Sequence, residues 1–281
     1  MDTYHQLADA TARRVTQMYS TSFSLACRLF PPTMRQHIYN IYGLVRLADE
    51  IVDTYRGADQ LAQLDALEAE TYAALDAEYS TNVIVHAFAR TARANGIAQD
   101  LIKPFFASMR QDITSTEYDA TGLDDYIYGS AEVVGLMCLK VFAGGNQERY
   151  DHLKPGAQAL GAAFQKVNFL RDLAADHDEL GRIYFPNVDW TSFNDAAKSE
   201  IETDIHADFT KAKRAIDELP SSGRPAVLAA YRYYLELLRK IEATPAAQLK
   251  TSRLRLPNAR KFMILGGTLV RERVLSSRRG K

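Results

Sequence analysis

Four kinds of feature are scarce in this 281-residue sequence, and each scarcity removes a class of function or fold. Only two cysteines occur, Cys27 and Cys138, and neither stands in a metal-type spacing. A reducing, cytoplasmic setting is the simplest reading of so little cysteine. Excess charge is also lacking: the net charge is −1, so no global field draws nucleic acid or an acidic partner. Long apolar runs are missing as well. The opening MDTYHQLADATARR has no apolar stretch of the secretory kind, and the best run elsewhere, VVGLMCLKVFAGG, contains Lys140 and falls short of the ~20 residues a membrane span needs. Strand-type alternation is nearly absent. RIYFPNVDW is the one extended-looking piece, and Pro186 marks it as a loop.

What remains is helical periodicity in a chain that is 47% hydrophobic and 25% charged, as ordinary globular proteins are. Pro31 and Pro32 open a helix that reaches Gly57, and further helices are predicted at 59–79, 83–94, 98–115, 123–143, 147–177, 196–218, 224–243 and 258–275. Asn95-Gly96 and Gly144-Gly145 supply stops. There is no internal repeat, low-complexity tract or long linker, so residues 1–281 read as a single all-α domain. From Lys250 to Lys281 ten Lys or Arg face one acid, Glu272. Such a stretch is either a solvated basic tail or a surface that attracts phosphates or anionic lipid.

Two acidic rows stand out. In YGLVRLADEIVD, Asp49 and Asp53 lie four apart with Glu50 beside them, while Tyr42 and Arg46 occupy the preceding turns. In QKVNFLRDLAADHDELGRIYFP, Asn168, Asp172 and Asp176 repeat the spacing, with Gln165 and Arg171 nearby and Arg182 and Tyr184 beyond. Residues four apart share a helix face, and two acids so placed repel unless a cation lies between them. Each row alone suits a wet surface. Two rows on separate helices suit a cluster of hard divalent ions, which take oxygen ligands from carboxylates, waters and substrate phosphate.

Together with STSFSL (20–25) and YIYGSAEVVG (126–135), these motifs resemble those of the squalene/phytoene synthase family, in its order and spacing over nearly the whole chain. The wording is most similar to bacterial phytoene synthases. The resemblance implies a class I isoprenoid synthase-type helical bundle around a central apolar cavity, which joins two allylic prenyl diphosphates head to head. It implies Asp49, Asp53, Asn168, Asp172 and Asp176 as the metal-side residues for Mg²⁺, or Mn²⁺ in its place. Arg46 and Arg171 would neutralise pyrophosphate, and Tyr42 and Gln165 would orient phosphate or metal-bound water. Ser20 and Ser22 match the diphosphate-contacting start, with Tyr19 and Thr21 where some relatives carry basic residues. Tyr126 would steady a carbocation with its ring face, or pack as core. Phe23, Val133, Val134, Leu136, Met137, Phe164 and Phe169 are the candidate lining.

Within the family, Cys27 stands one turn after Phe23, where relatives that make C30 products tend to carry a bulkier aromatic. A small side chain there favours two C20 geranylgeranyl diphosphates and a phytoene product, without NADPH. The alternative is a squalene or dehydrosqualene synthase using farnesyl diphosphate. A reading of another class is a non-catalytic helical assembly factor, but such proteins generally lose the paired aspartates, and all four are present. No nucleic-acid partner is expected. The basic C-terminus and a lipophilic product suggest peripheral contact with the inner face of a membrane.

Overall fold

Caps and stops written into the sequence set several helix boundaries in this computed structural model. It describes residues 1–114, 120–180, 184–185, 188, 190–191 and 193–279, with the backbone alone at 120, 176–180 and 269–279. Among the described residues the chain is helical with no strand: α1 (Asp2–Tyr19), α2 (Thr21–Cys27), α3 (Pro32–Asp49), α4 (Gln60–Ala77), α5 (Val83–Asn95), α6 (Gln99–Thr114), α7 (Ala120–Ile127), α8 (Val133–Ala143), α9 (Gln147–Leu180), α10 (Asp195–Glu218), α11 (Arg224–Glu242), α12 (Ala246–Leu249) and α13 (Asn258–Arg279). A π-helical turn, Glu50–Thr54, continues α3, and a second, Tyr128–Glu132, joins α7 to α8.

Asn82 caps α5 by accepting from the N–H groups of Ile84 and Val85 at 3.1 and 3.4 Å. Asn194 caps α10 in the same way through Ala196 and Ala197, at 2.9 and 3.0 Å. Gly96 and Gly144 end α5 and α8 in the left-handed conformation. The predicted helix from Pro31-Pro32 to Gly57 instead changes at Glu50 to the π turn, which closes with Tyr55 N–H on the Glu50 carbonyl at 3.0 Å. Predicted helix 123–143 is likewise broken by a π turn. Such turns place an extra residue in one loop of helix and are frequent at functional sites.

Three helices were not expected: α1, α2 and the single turn α12. α1 buries Ala8, Ala12 and Thr16 at four-residue steps, a stripe of small residues on a helix that is polar on average. α2 starts at Ser20, whose Oγ accepts from the Phe23 N–H at 3.3 Å.

Helix α9 is the axis of the bundle, packing against α8, α10, α11 and the second π turn. Close approach decides that geometry. A Cβ at Gly161 would lie 2.8 Å from the Ala131 carbonyl oxygen, and one at Gly129 would lie 2.3 Å from that of Pro104. The second π turn is therefore sandwiched between α6 and α9, with glycine required on both faces. Two apolar cores flank it, one around Leu44, Phe88, Phe105, Phe106 and Leu136, the other around Val167, Leu170, Phe209, Leu237 and Leu238. Each fully buried side chain of this size is worth ~1.5–3 kcal/mol. Among the described residues one stretch, Thr121–Ala143, is long and apolar enough to cross a membrane, and more than half of its apolar window (56%) is buried inside the bundle.

Candidate active site

Between α2, α3, α8, α9 and α11 lies a cavity of about 710 Å³. Leu153 and Asp172, nineteen residues apart on α9, both line it; at helical rise this is a length of ~28 Å. On α8 and the turn before it, Ser130, Val134, Cys138 and Phe142 present the same face at four-residue steps. One end is charged and the other is apolar.

The charged end gathers what the two acidic rows promised. Ser20, Ser22, Tyr42, Arg46, Asp49, Asp53, Tyr126, Gln165, Asn168, Arg171 and Asp172 all line the cavity. The side chain of Asp176 and the whole of Arg182 lie outside the described residues. Arg46 packs over the Tyr19 ring at 4.4 Å and pairs with Glu50, and its Nη1 stands 3.9 Å from Asp49. Glu50 thus has a physical role, holding Arg46 in place, and that hydrogen bond keeps its own carboxyl below the usual range. Burial, with the Asp53 charge adding to it, pushes the Asp49 carboxyl up to about 7. Burial likewise pushes the Tyr42 phenol up to about 12, helped by Asp49, while its ring stacks on Phe23 at 5.1 Å.

On the facing helix Arg171 Nε donates to Asp172 at 2.9 Å. Burial works against the Arg171 charge, yet this bond and the carboxylate's charge hold its pKa above the ordinary value. The neighbour pairing of Arg171 leaves its guanidinium at the cavity wall, beside Tyr234, which stacks on Phe164 at 3.9 Å. Asn168 donates to the Tyr234 hydroxyl, and its own Oδ1 is buried with no hydrogen-bond partner. Among the described residues no three acidic, histidine or cysteine side chains converge tightly enough to hold an ion alone. An oxygen-only donor set divided across a gap, with an orphaned amide oxygen in it, nonetheless suits an ion that completes its shell with water and phosphate.

Two functional candidates escaped the sequence reading. Asp112 of α6 lines the cavity, is buried, and accepts from the Tyr126 hydroxyl at 3.0 Å. Arg253, from the extended stretch before α13, pairs with Asp172. A lone acid and an isolated arginine carry no spacing signal. Tyr126 in turn stacks on Tyr184 at 5.5 Å, and Tyr184 on Phe169 at 4.0 Å.

The apolar lining corrects the expectation in part. Phe23, Val134, Phe164 and Phe169 face the cavity. Val133, Leu136 and Met137 turn instead into the core, at 0, 0 and 1% exposure. Helix α8 is apolar on every side, so no period distinguished its two faces. Cys27 and Cys138 line the deep half, where burial pushes the Cys138 thiol up to about 12. The pocket closes at Phe30 and Phe142, stacked at 5.3 Å.

Residues 16–260 match the family of squalene/phytoene synthases. The chain belongs to that family. Members condense prenyl diphosphates head to head, and the chain is a prenyl transferase of this kind. It is 32% identical over 204 residues to a 4,4'-diapophytoene synthase of Staphylococcus haemolyticus, covering 69% of this chain and 68% of that one. It is 30% identical over 291 residues to a 15-cis-phytoene synthase of Synechococcus elongatus, covering 94% and 92%. A crystal structure of a dehydrosqualene synthase with ligand shares the fold at a TM-score of 0.81 and 21% identity, over 96% of this chain and 98% of that one. A squalene synthase from Alicyclobacillus acidocaldarius does so at 0.70 and 24%, over 85% and 92%. The family thus carries the same helical isoprenoid synthase fold across these relatives.

Proposed function

We propose that this protein joins two geranylgeranyl diphosphates head to head into phytoene, with Mg²⁺ (or Mn²⁺) and without NADPH. The observation that carries the reading is a single cavity with oxygen ligands and arginines at one end and a long apolar arm at the other. Asp49 and Asp53 on one wall, and Asp172 and Asn168 on the other, are the residues that would hold the metal; Asp176 joins them by resemblance. When bound, the ion would neutralise charge on the departing pyrophosphate.

The chain's own residues supply the rest. Arg46 and Arg171 offer guanidinium forks to diphosphate oxygens. With its C1–O bond broken, one substrate becomes an allylic cation and free pyrophosphate. The double bond of the second attacks C1, and loss of a proton closes prephytoene diphosphate, a cyclopropyl intermediate. A second ionisation, rearrangement and proton loss give phytoene. Released pyrophosphate is the base within reach at each proton loss. Apolar walls at Phe23, Val134, Phe164 and Phe169 keep water from the cations, and the Tyr126 ring faces the same space.

Support for the C20 substrate comes from Cys27, a small side chain in the deep half of the cavity, and from relatives named as phytoene synthases. A relative named as a 4,4'-diapophytoene synthase keeps C15 farnesyl diphosphate as the second reading. Giving the purified protein each diphosphate separately, and identifying the hydrocarbon by mass, decides between them. A C40 product supports this reading, and a C30 product replaces it with the second.

The product is lipophilic, and we further propose that α13 lies against an anionic membrane surface. Phe262 and Met263 are each 58% exposed, with Arg260 and Lys261 beside them, while Lys261, Ile264 and Leu265 reach the cavity.

A further inference from the structure

Asp172 is held by two arginines at once. From its own helix, Arg171 approaches through Nε and Nη2. From the far side comes Arg253, with Nε 2.6 Å from Oδ1 and Nη2 3.1 Å from Oδ2. Both carboxylate oxygens are therefore engaged by two guanidinium forks, and the trio carries one surplus positive charge. Arg171 is half-buried, its side chain 19% exposed, whereas that of Arg253 is 46% exposed. Its backbone is not free. Leu254 and Leu256 alternate with Arg253 and Arg255 and are buried in the second core, and Lys240 Nζ donates to the Arg255 carbonyl at 2.8 Å. A fixed backbone therefore carries a long, half-exposed cationic side chain at the rim of the charged end.

We propose that Arg253 is a diphosphate-binding residue held in reserve by Asp172. The inference rests on the metal reading of the site. A cation that takes the Asp172 oxygens must displace Arg253, because the carboxylate cannot serve both forks and the ion. The released guanidinium then stands at the cavity mouth, where it grips the diphosphate of a prenyl substrate. Metal loading and diphosphate capture become thermodynamically coupled: each favours the state in which Arg253 has left Asp172.

This coupling has a signature that a structural ion pair lacks. Removing Arg253 abolishes its competition for Asp172, so the metal alone binds more tightly. It also removes a phosphate ligand, so the anion binds more weakly. The test uses the full chain, with Mn²⁺ followed by electron paramagnetic resonance and inorganic pyrophosphate by calorimetry at saturating Mn²⁺. For Arg253→Gln the expected result is severalfold tighter Mn²⁺ binding and about tenfold weaker pyrophosphate binding, the cost of one charge-assisted contact. Arg253→Lys should recover part of the pyrophosphate affinity without the bidentate fork. Near-ultraviolet circular dichroism confirms that both variants fold.

Weakened or unchanged Mn²⁺ binding in Arg253→Gln, with the wild type binding normally, overturns the inference while leaving the metal reading intact. Failure of the wild type itself to bind Mn²⁺, with or without pyrophosphate, overturns both.

Discussion

Tyr126 donates its hydroxyl proton to Asp112 at 3.0 Å, in a wall of the cavity where both residues are buried. A phenol that donates to a carboxylate takes on partial phenolate character, and its ring becomes richer in electrons. Such a ring is a better partner for a cation. Tyr126→Phe keeps the face and loses the polarisation, so kcat should fall severalfold. Tyr126→Leu loses the face as well, and a desolvated cation–π contact of ~2 kcal/mol corresponds to about a 30-fold loss. Steady-state kinetics on the two variants check the order; equal losses would leave the hydrogen bond, not the ring, as the contributor.

Cys27→Phe should fill the deep half of the cavity, in which Cys27 is wholly buried. Activity should shift from the C20 toward the C15 diphosphate, read as a change in the ratio of kcat/KM for the two substrates. A variant that loses both activities equally would mark Cys27 as packing rather than a length gauge.

Gly161→Ala places a methyl group 2.8 Å from the Ala131 carbonyl and 2.9 Å from the Glu132 Cα. Both contacts are backbone, so α9 or the second π turn must shift. Overpacking of this kind costs ~1–3 kcal/mol. Urea unfolding should show that loss, accompanied by reduced activity, since Ser130 of that turn and Asn168 and Asp172 of α9 face one cavity.

Much of this was legible from the residues alone. The acidic rows announce their helices because carboxylates four apart have few other reasons to align with Tyr42, Arg46 and Asn168. The stops at Asn95-Gly96 and Gly144-Gly145 gave the ends of α5 and α8. What stayed hidden rests on small residues or on partners distant in sequence. Helix α1 packs through Ala8, Ala12 and Thr16, with Ala12 Cβ only 3.3 Å from where a Cβ on Gly43 would stand. Small residues in close contact leave little hydrophobic trace. Asp112 and Arg253 meet their partners across 14 and 81 positions, distances that local spacing cannot carry. The second π turn, which resets the face of α8, is packed through Gly129 and Gly161, close tertiary contacts that local propensity does not announce.

His86 sets one expected pH response. It is buried against Tyr4, Tyr79 and His5, with ring centroids 4.9, 5.6 and 5.2 Å away, and its Nε2 has no hydrogen-bond partner. Burial first, then the charges of His5, Arg90 and Arg93, hold its pKa below the usual value. The unfolded chain then binds the proton more readily, so stability should fall as the pH drops below ~6.5 and recover above it. His37, lowered mainly by burial, acts with the same sign. In urea titrations across this range, His86→Phe should flatten part of the slope. An unchanged slope would assign it elsewhere.

Vesicle flotation addresses α13. Binding to anionic vesicles that weakens with salt, and weakens further in Phe262→Ser with Met263→Ser, is the expected outcome. Equal recovery with neutral and anionic vesicles would remove the charge argument.

The central claim is that two acidic rows facing one cavity perform metal-dependent coupling of C20 diphosphates. Its most direct test is the hydrocarbon formed from geranylgeranyl diphosphate by wild type, Asp49→Asn and Asp172→Asn, each with Mg²⁺ and with chelator, and without NADPH. The account predicts a C40 hydrocarbon with a central conjugated triene from the wild type with Mg²⁺ alone, and a loss of at least two orders of magnitude in either variant or with chelator. Hydrocarbon that forms as well in chelator, or in either variant, would contradict it.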